Sequence, residues 1–218
     1  MSLVVSVSTG RDDVCMTDVS IGDDGAARCS WDYPADYRWY HDDEWGRPVV
    51  DDSRIYEKLC LEGFQSGLSW LTILRKRENF RNAFASFDIE AVAAFDERDL
   101  ARLVRDSGIV RNRRKIEATI ANARAALDLR QSGGSLAALI WQYEPVRTRT
   151  PKKFSELPAS TPESTALSKD LRKRGFRFLG PTTVYAAMQA LGIVNDHLAG
   201  CASGAEVDAE RAALLRPH

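Results

Sequence analysis

Apolar residues recur with a helical period along most of the chain, and the alternation typical of strands is essentially missing. Aspartate or serine at positions 51 to 53 can cap a helix that runs through Cys60 and beyond. From residue 116 to residue 127 one helix face stays apolar over three turns, until Gly133-Gly134 ends that helix. The pattern predicts an all-α fold.

Other polar residues mark the starts of further predicted helices. Ser69 can cap a helix from Trp70 through Phe84, and Gly180-Pro181 begins one that runs to about Gly192. The remaining predicted starts are Asp88, Asp96 with Asp99 three residues later, Ser135, and Thr161-Pro162, whose helix ends at Gly175. Residues 143 to 160 hold three prolines, which predicts an extended connector.

The stretch from Cys60 to Trp70 places a carboxylate among residues typical of a buried helix. Glycines at 63 and 67 interrupt the helical period around Glu62, and each costs a helix roughly 1 kcal/mol against alanine. A buried carboxylate needs a polar partner. Two interpretations stay open: a core glutamate paired with an arginine, or an acid that reads a ligand, with Gln65, Leu68 and Trp70 beside it.

The formal net charge of -1 over 218 residues does not indicate a nucleic-acid binder, but the charge is unevenly distributed. Residues 1–28 hold five aspartates against two arginines, so the rest of the chain is net positive by two. Two basic clusters, residues 111–115 and 169–177, are either solvated helix faces or the footprint of a polyanion site.

No apolar run approaches the roughly 18 residues that a membrane span needs, and the amino terminus lacks the cationic start and long apolar centre of a signal peptide. These features predict a cytoplasmic protein with no membrane partner, in which thiols stay reduced. The four cysteines are therefore interpreted as core residues or metal ligands rather than disulfides.

Residues 1–27 are poor in large apolar groups and rich in Ser, Asp and Gly, which predicts a disordered leader. The segment from Cys29 to Trp45 that follows is dense in aromatic side chains, namely Trp31, Tyr33, Tyr37, Trp39, Tyr40 and Trp45. Such a segment is either a cap packed over the domain or a stacking pocket.

Two cysteines and two histidines form a candidate metal site. His197 and Cys201 are four residues apart, so a helix would bring them to one face. Cys29 and His41 supply two more ligands of the kinds that suit zinc. The spacing matches no common zinc-finger pattern, so chance coincidence stays open as the alternative.

The run from Leu171 to Thr183 is a candidate phosphate site. A basic helix leads into a turn bounded by Gly175 and Gly180, and a new helix begins at once. Glycines allow close backbone approach to a phosphate, and a helix N-terminus favours negative charge there. The alternative is an ordinary helical hairpin with solvated arginines.

These residues together resemble the 3-methyladenine-DNA glycosylase I family of the helix-hairpin-helix superfamily. The matching motifs, in chain order, are Cys29-x-Trp31, Tyr37-x-x-Tyr40-His41-Asp-Asp-Glu-Trp45-Gly46, the stretch from Cys60 to Trp70, Arg75-Lys-Arg-Glu-Asn-Phe80, Gly108-Ile-Val-Arg, and Arg174-Gly-Phe-Arg-Phe-Leu-Gly180 with Asn195-Asp-His197. The resemblance implies one glycosylase domain over residues 28–203, followed by a carboxy-terminal tail over residues 204–218.

The resemblance implies a role for each part of the candidate site. A structural zinc ion would join the amino- and carboxy-terminal segments, held by Cys29, His41, His197 and Cys201. Glu62 would contact the methylated adenine, in a pocket lined by Trp31, Tyr37, Tyr40, Trp45, Gln65 and Trp70. Leu68 would fill the gap left by the flipped nucleotide. A DNA phosphate would be held at Gly175, Phe176, Phe178 and Gly180.

The implied activity is base-excision repair by a monomeric glycosylase that hydrolyses the N-glycosidic bond of 3-methyladenine in double-stranded DNA and releases the free base. One alternative is a DNA-binding module without catalysis. Another is a bifunctional glycosylase–lyase, which needs a nucleophilic lysine where Pro181-Thr182-Thr183 stands. Phe64 departs from the family pattern, which favours glutamine, and the segment from Cys29 to His41 is slightly short. Asn195 stands where related glycosylases place a catalytic aspartate.

Overall fold

The computed structural model describes residues 18–31, 35–146 and 149–218, and helices dominate these ranges. The helices are α1 (Ala35–Asp43), α2 (Asp52–Gln65), α3 (Trp70–Arg75), α4 (Arg77–Ala83), α5 (Ile89–Ala93), α6 (Glu97–Arg105), α7 (Arg113–Gln131), α8 (Leu136–Trp141), α9 (Pro162–Lys173), α10 (Pro181–Ala190) and α11 (Ala202–Ala213). Two short 3₁₀ turns lie at Ala85–Phe87 and Phe154–Glu156. The mainly helical class is as predicted.

Most helices begin at the predicted caps. Asp51 accepts a hydrogen bond from the Arg54 amide at 2.8 Å at the start of α2. Asp96 and Asp99 form a reciprocal capping box at the start of α6. Side chains of Ser69, Asp88, Ser135 and Thr161 cap α3, α5, α8 and α9. Each cap acts within one helical turn, so the local sequence is enough to predict it.

The helix predicted from Trp70 through Phe84 is wrong in one respect, because it is broken into α3 and α4 at Lys76. The backbone of Lys76 has φ -97° and ψ 0°, outside the helical range. Its ammonium donates to the carbonyl of Gly108 at 3.0 Å, and the next residue, Arg77, is buried. The break therefore reflects tertiary contacts that helical periodicity does not report.

The prediction of a disordered leader is wrong for residues 18–27. Strands β1 (Val19–Ile21) and β2 (Ala27–Cys29) pair antiparallel into a hairpin. Arg28 anchors this hairpin, because its guanidinium donates to the Asp42 carboxylate of α1 at 2.8 and 2.9 Å and to Asp24 at 2.7 and 2.8 Å. Residues 1–17 and Tyr33 lie outside the described residues.

Helix α2 runs through the core and packs against α7, α8 and α10. Both Tyr56 of α2 and Thr119 of α7 are buried, and the Tyr56 hydroxyl donates a hydrogen bond to the Thr119 carbonyl at 2.9 Å. Phe64, the departure from the family pattern, is also buried in this core, with its ring centroid 4.6 Å from that of Phe80. An apolar residue at position 64 is therefore a packing feature.

The segment predicted as a carboxy-terminal tail includes most of α11 and packs on the domain. Arg211 is buried, donates to the Gly192 carbonyl, and pairs with Glu144 at 2.6 Å. The Arg216 guanidinium lies 5.2 Å from the ring centroid of Trp141. Within the described ranges, the longest apolar helices fall short of what a membrane crossing requires.

Candidate base pocket, metal centre and DNA interface

Glu62 lies in the last two turns of α2, with 5% of its surface exposed. Its carboxylate has no hydrogen-bond partner among the described residues. Burial raises the pKa of this carboxyl to about 7, although the charge of Lys58 one turn earlier opposes the rise. The interpretation of a core glutamate paired with an arginine is therefore wrong. Glu62 is a buried acceptor that can take a donor from a ligand.

Aromatic rings form a row beside this acceptor. The centroid distances are 5.9 Å from Trp31 to Tyr37, 5.6 Å from Tyr37 to Tyr40 and 5.4 Å from Tyr40 to Trp70. Burial raises the pKa of both tyrosines, and the negative charge of Glu62 raises it further. Trp70 Nε1 is a buried donor without a partner in the described part of the chain. The row thus has an acceptor and a donor available to a ligand.

Trp45 and Gln65 are placed differently from the other predicted pocket residues. The Trp45 ring lies 4.5 Å from Trp31 on one side and 4.7 Å from His197 on the other, between centroids. It therefore links the aromatic row to the metal ligands. Gln65 is the last residue of α2, one turn beyond Glu62, and is half-buried.

Leu68 is exposed in the turn between α2 and α3, where Gly67 has φ +82°. Lys115 of α7 holds this turn, because its ammonium donates to the carbonyls of Phe64 at 2.8 Å and Ser66 at 2.6 Å. An exposed apolar side chain is thereby fixed one residue before the Ser69 cap. This position suits a side chain that enters a DNA duplex.

The turn between α9 and α10 has free backbone donors, but not at every predicted residue. The Gly175 amide donates to Arg172 and the Phe176 amide to Leu171, so both close the end of α9. The Phe176 side chain is buried. The amides of residues 178–180 have no acceptor within the described ranges. These are the donors that remain for a phosphate.

Two features shape this turn. Gly175 and Phe178 both have positive φ, at +95° and +57°, and the Phe178 side chain is exposed. Asn122 of α7 fixes the turn from below, because it accepts from the Arg177 amide at 2.7 Å and donates to the Arg177 carbonyl at 3.2 Å. Gly180 starts α10 with Pro181 at the first helical position, as predicted.

The predicted metal ligands come together. The ligand atoms of Cys29, His41, His197 and Cys201 all lie within 4.8 Å of one another, and all four residues are buried. Cys201 Sγ is 3.5 Å from His197 Nδ1 and 3.7 Å from His41 Nε2. Tetrahedral zinc with ordinary Zn–S and Zn–N bonds separates sulfur and nitrogen by about 3.6 Å. The group can hold one metal ion.

The outer contacts of the histidines agree with metal binding. His41 Nδ1 is 2.7 Å from Asp42 Oδ1, and His197 Nε2 is 3.1 Å from the Trp45 carbonyl. These contacts fix the ring orientations and leave one nitrogen of each ring facing the cluster. One prediction is wrong: His197 and Cys201 lie in a turn before α11, not on one helix. The Cys201 amide closes that turn on the Leu198 carbonyl at 2.9 Å.

Sequence reasoning missed three residues that support the site, which are Lys58, Lys115 and Asn122. The (i, i+4) spacing of Lys58 and Glu62 was a usable signal, because it places both on one helix face. The contacts of Lys115 and Asn122 link residues about fifty positions apart, which local patterns do not show.

Comparisons with known proteins agree with this arrangement. The sequence model of the methyladenine glycosylase family matches residues 31–204. DNA-3-methyladenine glycosylase 1 of Escherichia coli (strain K12) is 49% identical over 178 residues, which are 80% of this chain and 95% of the relative. The chain therefore belongs to the methyladenine glycosylase family.

Two solved structures are similar to this fold. A crystal structure of 3-methyladenine DNA glycosylase I is 47% identical, with a TM-score of 0.78, over 80% of this chain and 98% of that one. A tyrosine-to-phenylalanine variant of 3-methyladenine DNA glycosylase I, solved in complex with 3-methyladenine, is 36% identical with a TM-score of 0.75. That match covers 80% of this chain and 95% of the other.

Proposed function

We propose that the protein is a DNA repair glycosylase that hydrolyses the N-glycosidic bond of 3-methyladenine in alkylated DNA. The observation that carries this proposal is the buried Glu62 carboxylate, which has no hydrogen-bond partner among the described residues. It lies one turn from Lys58, whose ammonium contacts the Tyr40 and Trp70 rings. The family and the relatives named for 3-methyladenine support the substrate. A DNA-binding module without catalysis would have no use for a buried, unpartnered acid.

The pocket chemistry suits a methylated adenine. Adenine carries an exocyclic amine that donates hydrogen bonds and ring nitrogens that accept them. Glu62 supplies the acceptor and Trp70 Nε1 the donor. Methylation at N3 gives the base a delocalised positive charge, which aromatic faces attract. The anionic carboxylate and the aromatic row therefore favour the methylated base over ordinary adenine.

The reaction needs the base outside the helix. We infer that the nucleotide flips into the pocket and that Leu68 fills the gap. Backbone amides of residues 178–180, together with the N-terminus of α10, hold the DNA backbone near the turn. A water molecule then attacks the sugar carbon. The water forms the new C–O bond and releases a proton to solvent, while the electrons of the N-glycosidic bond move onto the ring, so the cationic base leaves as a neutral molecule. Because water and not an amine of the protein is the nucleophile, no lyase step follows.

The Cys2His2 cluster fits zinc, and we propose that one structural zinc ion binds there. Thiolate and imidazole are ligands that zinc prefers, and four protein ligands leave no open position for catalysis. Cys29 belongs to β2 and Cys201 precedes α11. The ion would therefore join the two ends of the described structure.

Release of free 3-methyladenine from methylated DNA tests the function. In the Glu62→Gln variant, loss of a charged hydrogen bond should weaken binding of the free base by about 1.5–3 kcal/mol, or roughly 10- to 100-fold. Binding to undamaged DNA should stay unchanged. Chromatography of the released base and calorimetry of its binding measure both effects.

Glu57→Gln is the matched control, because Glu57 lies on the same helix but pairs with Arg81 at 2.8 Å. It should bind the base as the wild type does. Equal binding of 3-methyladenine by the wild type and Glu62→Gln would show that Glu62 does not read the base.

A further inference from the structure

Lys58 is a buried lysine next to the pocket with no place in the mechanism above. It is 6% exposed, and its ammonium lies 4.5 Å from the ring centroid of Trp70 and 4.8 Å from that of Tyr40. The ammonium donates to the Tyr40 hydroxyl at 3.3 Å and to Glu44 at 3.1 Å. A buried cation thus contacts two of the rings that would line the base site.

Lys58 and Glu62 share one face of α2. They are four residues apart, which places side chains on neighbouring turns next to each other. Both side chains are buried, so solvent screens their charges weakly. Lys58 contacts the Tyr40 hydroxyl, and the charge of Glu62 raises the pKa of the same hydroxyl.

The local charges balance only if Glu62 is counted. Glu44 is shared by two buried cations, because it accepts from Lys58 at 3.1 Å and from Arg77 at 2.6 Å. Two cations against one anion leave one positive charge without a counterion. Among the described residues, Glu62 is the buried acid that lies one turn along the same helix, and the charge of Lys58 acts on its carboxyl.

We propose that Lys58 is a positioning residue that favours the ionised form of Glu62 near neutral pH, the form that accepts a hydrogen bond from the methylated base. The inference rests on the proposed role of Glu62. Burial alone would keep the acid protonated, and a protonated carboxyl neither favours a cation nor offers its full acceptor strength. In line with the geometry, the Lys58 charge opposes the rise in the pKa of Glu62.

The other charged or titratable groups around α2 have partners of their own. From the elements packed on α2 these groups are Tyr37, Tyr40 and Glu44 of α1 and the segment after it, Arg75 of α3, Arg77 of α4, Lys115 of α7, and Tyr185 of α10. Lys115 is bonded to the carbonyls of Phe64 and Ser66, and Tyr185 to Asp196 at 2.6 Å. Lys58 is the cation that acts directly on the Glu62 carboxyl.

The test is the pH dependence of 3-methyladenine binding to the folded protein, measured by calorimetry between pH 5.5 and 9. In the wild type, affinity should fall as the pH drops through about 7, where Glu62 takes up a proton. In Lys58→Met this fall should move to higher pH by about one unit. Affinity at pH 7 should then be about fivefold lower than in the wild type, and equal at pH 9.

Two control variants separate charge from packing. Lys58→Gln keeps a donor for Glu44 but removes the charge, so it should show the same shift and serves if Lys58→Met does not fold. Lys152→Met removes an exposed lysine far along the chain and should overlay the wild type. Because every protein is titrated with the same base, protonation of the base itself cancels in the comparison.

An unshifted pH dependence in both Lys58 variants would overturn the proposal. A loss of affinity that is equal at every pH would also overturn it, because that is the result of a purely structural role. A wild type that binds no 3-methyladenine at any pH would instead refute the proposed function, and this inference with it.

Discussion

The Glu62 carboxylate, which we propose binds the base, destabilises the folded protein when no ligand is bound. A carboxyl whose pKa is raised in the folded state disfavours that state once it ionises. For Glu62 this free-energy cost to the folded state is absent below pH 4.5, the ordinary pKa of a glutamate. The cost grows between pH 4.5 and about 7 and is constant at higher pH. The acid proposed to bind the base therefore destabilises the folded state at neutral pH.

Glu62→Gln should for this reason be more stable than the wild type at pH 8, by about 3 kcal/mol at most. The amide has the shape of the protonated acid, and Lys58 keeps Glu44 as its partner. The difference in stability between Glu62→Gln and the wild type should shrink as the pH falls and vanish near pH 4.5. Thermal or urea unfolding at several pH values measures it, and equal stability of the two proteins at pH 8 would contradict the raised pKa.

At the scale of elements, the turn between α9 and α10 is the proposed DNA interface. Gly175 closes α9 with φ +95°, a conformation in which a side chain is strained, and the free amides of residues 178–180 follow. An added Cβ at Gly175 would meet only the Ala125 side chain, at 3.8 Å. The strain of a substitution would therefore act on the backbone of the turn.

Gly175→Val should weaken binding to all DNA duplexes alike, by about tenfold, because phosphate contacts carry no base information. Gly133→Val is the control, since Gly133 has φ +84° and open space around it in the exposed turn between α7 and α8. It carries the same backbone strain away from the interface. Fluorescence anisotropy with damaged and undamaged duplexes measures the effect. A changed lesion preference at unaltered affinity would argue against a phosphate site.

Elements were predictable from sequence where local chemistry decides them. The caps at Asp51, Asp96 and Thr161 act within one turn, so the sequence around each is sufficient. The β1–β2 hairpin was not predictable, because Arg28 stabilises it through Asp42, fourteen residues away. The break at Lys76 likewise depends on a carbonyl over thirty residues distant. The residues of the candidate site were predicted from the family resemblance. The contacts that Lys58, Lys115 and Asn122 make to support it were not predicted.

Across the whole molecule, the Cys2His2 cluster links the amino- and carboxy-terminal segments. If the proposed zinc binds here, Cys201→Ala should lose it and should lower the melting temperature, because structural zinc supplies roughly 10–16 kcal/mol of apparent binding energy in small domains. Elemental analysis and calorimetric unfolding measure both effects. Cys60→Ala is a suitable control, since Cys60 is a buried cysteine outside the cluster. Full metal retention in Cys201→Ala would exclude this site.

The arrangement of the domain also bears on the range of bases released. Asn195, at the position where related glycosylases place a catalytic aspartate, is buried and turned into the structure. Its amide donates to the Gly204 carbonyl at 2.8 Å and to Asp208 at 2.7 Å, and its oxygen accepts from the His197 amide. It therefore braces the metal-binding turn. The neighbouring Asp196 accepts from Tyr185 at 2.6 Å and from Gln189 at 2.8 Å.

We propose that, with an amide instead of a carboxylate at position 195, the protein has little to help it expel a neutral base. An amide can neither act as general base nor balance the charge of an oxocarbenium ion. A cationic base leaves as a neutral molecule and needs less help. We predict release of N3-alkylated purines, negligible release of hypoxanthine, and no covalent DNA adduct under borohydride. Single-turnover assays with matched duplexes measure these outcomes. Efficient hypoxanthine release by the wild type, abolished in Asp196→Asn, would assign the missing role to Asp196.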